Sequence, residues 1–80
     1  MQFIINGQPR DFAQLAPGCT LEDLITSLGL KGDRVAVEYN SAIVPRGEWG
    51  GTPLTDGGKL EIVHFVGGGS GAALLWLPAI

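Results

Sequence analysis

This 80-residue chain holds only one cysteine, one histidine and five basic side chains. With Cys19 alone, neither an internal disulfide nor a cysteine-based metal site can form, which fits a reducing compartment. His64 has no second histidine or cysteine near it in sequence, so it reads as a strand residue and no metal site is expected. Arg10, Lys31, Arg34, Arg46 and Lys59 are scattered, no two adjacent, and the formal net charge is -3. Phosphate backbones need clustered cations, so nucleic acid is excluded as a partner and a basic protein surface suits the chain better. Apolar runs are short as well. The longest mostly apolar stretch, residues 72–80, falls far below the roughly 20 residues of a bilayer span. Met1-Gln2-Phe3-Ile4-Ile5 lacks the basic leader of a secretion signal, so no membrane association and a cytoplasmic location are expected.

What is present describes one small folded unit: 45% hydrophobic and 16% charged residues, with no room for a second core. Residues 1–6 alternate as a strand, with Met1, Phe3 and Ile5 on one face and Gln2, Ile4 and Asn6 on the other. Asn6-Gly7 is a hairpin signal, because a type I′ turn needs positive φ at both central positions. A second strand over residues 9–13 follows, with Pro9 marking an unpaired outer side and Phe12 its core candidate. Thr20 stands as an N-cap ahead of Leu21, Leu24, Ile25 and Leu28, one apolar stripe of a short helix that Gly29 ends. Glu22 and Asp23 suit the positive end of that helix. Residues 34–39 alternate again as a strand, Asn40-Ser41 turn, and residues 43–49 have no clean period and lead into a loop or helical turn. Asp56-Gly57-Gly58 is a turn before a last, β-branched strand over residues 59–66. Strand, strand, helix, strand, irregular segment, strand is an α+β order. One helix packs across one face of a mixed sheet, with the first and last strands parallel in its middle.

That last strand runs into Gly67-Gly68-Gly69, a thin segment free of β-carbons that suits a narrow channel. Val44-Pro45-Arg46-Gly47-Glu48-Trp49, Asp56-Gly57-Gly58 and Glu61-Ile62-Val63-His64-Phe65-Val66-Gly67-Gly68-Gly69 together resemble the thiamin-biosynthesis sulfur carrier (ThiS) family. The resemblance covers residues 1–69 and implies a ubiquitin-like β-grasp fold. It also implies a protein co-substrate, not an enzyme. The terminal glycine carboxylate is adenylated with ATP by an E1-like enzyme (ThiF), and a persulfide from a cysteine desulfurase displaces AMP. The resulting thiocarboxylate gives its sulfur to thiazole synthase (ThiG). No cofactor is bound by the carrier, and ATP is used by the activating enzyme. On this pattern Gly69 carries the sulfur, with Gly68 the second choice, and Gly67, Gly68 and Gly69 form the flexible tail. Glu61, Val63 and Phe65 should point away from the helix and, with Ile4, form an exposed apolar patch. Ile4, Val63, Phe65 and Arg46 are thus the docking candidates.

The chain departs from the family by continuing past the glycines as Ser70-Gly71-Ala72-Ala73-Leu74-Leu75-Trp76-Leu77-Pro78-Ala79-Ile80. Residues 70–80 are expected to be a flexible apolar extension that a processing protease removes, since Gly69 otherwise has no free carboxylate. Two alternatives stand beside this reading: a carrier for another, molybdopterin-type pathway, and a β-grasp interaction module whose extension is permanent. Gly67-Gly68-Gly69-Ser70-Gly71-Ala72 also matches a dinucleotide fingerprint, but too little chain follows it for the strand and acidic residue that motif needs. Cys19 precedes the helix, and without a partner it reads as a packed small side chain.

Overall fold

The structure, a computed structural model, describes residues 1–66 and 75–78. Its six-stranded sheet has the order β2-β1-β5-β3-β4, with β6 paired to β5 beside that path. β1 (Gln2–Ile5) and β2 (Gln8–Asp11) form an antiparallel hairpin closed by Asn6 and Gly7 at φ 51° and 82°. Asparagine tolerates that left-handed conformation better than most residues, and glycine adopts it without penalty. β2 is the sheet edge, so the missing N–H of Pro9 leaves no ladder bond unmade. The second strand is shorter than residues 9–13: Phe12 lies just past it, yet its ring is buried against Phe3, with centroids 5.9 Å apart.

The helix α1 (Leu21–Ser27) begins where expected and with one more tie than expected. Asp23 N–H donates to the Thr20 hydroxyl at 3.3 Å, and the Asp23 carboxylate accepts from the Thr20 N–H at 2.8 Å, a reciprocal capping box. Leu21, Leu24 and Ile25 are buried and Leu28 packs at the margin. Gly29 leaves the helix at φ 73°. A 3₁₀ turn over Gly32–Arg34 then takes the first residue assigned by sequence to the next strand, so β3 is Val35–Tyr39. Asn40 and Ser41, both at positive φ, turn the chain into a short β4 (Ala42–Val44). A second 3₁₀ turn, Arg46–Gly51, follows Pro45 and buries Trp49, whose indole N–H donates to the Val44 carbonyl at 2.9 Å.

β5 (Lys59–Val66) is the central strand, parallel to β1 and antiparallel to β3. Leu60 and Ile62 face α1 and are fully buried with Phe3, Ile5, Leu21 and Leu24. Burying one such aliphatic side chain contributes about 1.5–3 kcal/mol, so these residues hold helix and sheet together. The side chains described as buried run from Phe3 to Ile62. Residues 75–78, assigned by sequence to a flexible extension, are instead strand β6 (Leu75–Pro78), antiparallel to β5 with His64 opposite Leu77 and Val66 opposite Leu75. Among the described residues no helix is long and apolar enough to cross a membrane.

Candidate functional site

Two regions carry the candidate residues: the outer face of the sheet and the strand end that leads to the glycines. On the outer face the alternation of β5 exposes Glu61 and half-exposes Val63, while Leu60 and Ile62 turn to the core. β3 presents Ala36 and Glu38 there, and the β3–β5 register sets Ala36 opposite Val63 and Glu38 opposite Glu61. Across the next pair Glu38 faces Ile43 of β4, the most exposed large hydrophobic among the described residues at 77%. Ala36, Val37, Glu38, Ile43, Glu61 and Val63 line one shallow groove of about 310 Å³. Its floor is apolar and its rim holds two directly opposed carboxylates. Like charges across a strand pair destabilise it by a few tenths of a kcal/mol, so the arrangement favours a cation laid over the rim.

Arg46 stands at the start of the second 3₁₀ turn, and its side chain is exposed but folded over Gly32. A β-carbon at Gly32 would sit 3.1 Å from the Arg46 Nε and 3.1 Å from Trp49 Cζ3, so both side chains pack tightly over this glycine. Arg46 lines a second groove of about 380 Å³ with Trp49, Pro45 and Val44. The two grooves share Ala36, Val37 and Ile43, which together join Arg46 to Val63. Ile4 is exposed on the same face but pairs with Lys59, four residues before Val63 on β5, or about 13 Å at the rise of a strand. The four docking candidates thus do not form one cluster. Val63 and Arg46 adjoin through Ala36, Val37 and Ile43, Ile4 stands apart, and the Phe65 side chain lies outside the described part.

Sequence alone puts Ile43 in an extended segment without assigning it to the docking face, because a three-residue strand has too little length to show a period. The turn signal at Asn40-Ser41 places it on the outer face, opposite the half-buried Glu38. The glycine candidates Gly67, Gly68 and Gly69 lie outside the described residues. Cys19 is buried, its thiol 3.6 Å from the Met1 sulfur, and His64 is half-buried on β5. Among the described residues no group of three or more His, Cys, Asp or Glu side chains could hold a metal ion.

A mixed sheet with a hairpin leading into one helix, a parallel central pair and the helix across one face is the ubiquitin-like β-grasp architecture. Residues 3–69 match the model of the ThiS family, and the chain belongs to that family. It is 42% identical over 50 residues to the sulfur carrier protein ThiS of Bacillus subtilis, covering 62% of this chain and 76% of that protein. The crystal structure of the thiamine biosynthesis protein ThiS from Geobacter metallireducens superposes with a TM-score of 0.74 at 28% identity, covering 86% of this chain and all of that one. A thiazole synthase of Paramagnetospirillum magneticum is 44% identical over 73 residues, which are 91% of this chain but 22% of that protein. The chain thus spans about a fifth of the length of that relative.

Proposed function

We propose that this protein is a cytoplasmic sulfur carrier for the thiazole half of thiamin, working through the carboxylate of Gly69 once the Gly69–Ser70 bond has been hydrolysed. The observation that carries this reading is the family match, which ends on Gly69 itself. In the proposed cycle the carboxylate attacks the α-phosphate of ATP on an E1-like enzyme, giving an acyl-adenylate and pyrophosphate. The terminal sulfur of a persulfide, supplied by a cysteine desulfurase, attacks the acyl carbon and AMP leaves. A thiol then cleaves the acyl disulfide and releases the thiocarboxylate. The carrier contributes a displayable carbonyl and a docking face. No acid, base or nucleophile of its own is needed.

Thiazole synthase is favoured as acceptor over a molybdopterin-type enzyme, because segments similar to 91% and 86% of this chain occur within proteins named thiazole synthase. The docking face is the Val63–Ile43–Arg46 groove, with Glu38 and Glu61 selecting a basic partner surface. Gly68 remains the second choice of terminus. A permanent extension would leave the chain a β-grasp interaction module without covalent chemistry. Residues 1–69, incubated with ATP and the E1-like enzyme of the same organism, should form an acyl-adenylate and, with persulfide and thiol, gain sulfur in place of one oxygen. An enzyme active on a known carrier but inert toward residues 1–69 would contradict the reading.

A further inference from the structure

β5 has two edges, and the hydrogen bonds identify which residue serves which. The Lys59 N–H donates to the Asn40 side-chain oxygen at 3.0 Å, and the Lys59 carbonyl accepts from the Asn40 N–H at 2.8 Å, on the β3 side. On the β1 side the Leu60 carbonyl accepts from the Asn6 N–H at 2.9 Å. There too the Ile62 N–H donates to Asn6 Oδ1 at 2.8 Å and the Ile62 carbonyl accepts from Asn6 Nδ2 at 3.0 Å. Backbone groups of successive strand residues alternate between the edges, so His64 and Val66 present their N–H and C=O groups on the β1 side. β1 is no longer there, because Asn6-Gly7 has turned it away. β6 takes its place. The register sets Leu77 against His64 and Leu75 against Val66, the two hydrogen-bonding positions. Pro78 stands opposite Val63, whose backbone groups face β3, so the N–H it lacks is not called on.

We infer that the β1-side edge of β5 from His64 to Val66 is a strand-addition seat for an extended, uncharged segment of a partner protein, and that Leu75–Pro78 fills it in cis while it stays attached. The sequence Leu-Trp-Leu-Pro shows the chemistry the seat accepts: an extended backbone offering N–H groups at alternate positions and no charge. Without an occupant, both N–H and C=O groups of His64 and Val66 form an open edge, which recruits another strand. Val66 adjoins Gly67, so a partner strand seated here runs beside the chain that delivers the glycines. That a partner reaches the edge, and that this partner is the activating enzyme, rests on the carrier reading with its removed extension; the pairing of β6 with His64 and Val66 does not.

Amide hydrogen exchange tests the seat on this protein alone. Residues 1–69 suit the comparison because they hold the side chains described as buried and the whole Geobacter chain corresponds to 86% of this one. Exchange at His64 and Val66 should be at least about tenfold faster in residues 1–69 than in the full chain, with the amide of Leu28, which caps α1 by donating to the Leu24 carbonyl, unchanged. Full-length Leu77→Pro should release His64 in the same way, which keeps the test valid if the shortened chain is unstable. A synthetic peptide of residues 74–80 should restore slow exchange to residues 1–69. The same peptide with N-methyl groups on Leu75 and Leu77 should not. Equal exchange at His64 and Val66 in all three proteins, or equal action of the two peptides, would overturn the seat. The unmodified peptide should also slow adenylation of residues 1–69 about tenfold; adenylation indifferent to it, with exchange behaving as expected, would overturn the choice of partner alone.

Discussion

Asn6 does two jobs with one side chain. It holds φ at 51° in the hairpin turn and bonds both backbone groups of Ile62, tying the first turn to the last strand. Asn6→Gly keeps the turn and loses the bonds, so it should cost about 1 kcal/mol; Asn6→Ala adds left-handed strain and should cost about 2–3 kcal/mol. Urea unfolding of the two variants checks the order. The turn was legible in sequence because Asn-Gly acts locally; the tie to Ile62 was not, since it joins positions far apart in the chain. Thr20 is similar on a smaller scale. Its place as N-cap follows from the apolar stripe after it, whereas Asp23 was read only as a charge near the helix start. Thr20→Ala removes the side-chain half of the box and should lower stability by about 1 kcal/mol, or roughly 4–8 °C in Tm for a domain this small. Trp49 is buried with its indole N–H on Val44, so Trp49→Phe should cost about 1 kcal/mol and Trp49→Ala about 3–5 kcal/mol.

Among the elements, β1, α1, β3 and β5 were plain in the sequence because each carries its own periodicity. β4 and β6 were not. Ala42–Val44 is too short for a pattern, and Leu75–Pro78 follows a glycine-rich stretch, ends in proline and holds no β-branched residue. What makes each a strand is an edge already waiting, beside β3 and beside β5. The outer face follows from this pairing, which puts Ile43, Glu38 and Glu61 in one row. Ile43→Lys sits on the surface, so it should leave stability within about 0.5 kcal/mol while weakening association with the activating enzyme about tenfold. Glu61→Lys should relieve the opposed carboxylates and stabilise the fold by about 0.5 kcal/mol, yet slow association with the same enzyme. Thermal melts and binding titrations of both variants separate the two effects.

At the scale of the whole molecule, the scaffold and the glycine run divide the labour. A core that takes in Leu60 and Ile62 holds β5 in the centre of the sheet, and β5 leads the chain toward Gly67-Gly68-Gly69. A carrier of this kind must be firm up to the strand and open at its carboxylate. In the full chain that carboxylate is an amide to Ser70, which cannot attack ATP. The central claim therefore turns on one bond, and intact-mass measurement of the protein from its native host tests it most directly. A species ending at Gly69, free or with sulfur replacing one oxygen of its carboxylate, is the predicted result. Full-length chain as the sole species, in cells growing without supplied thiamin, would contradict it.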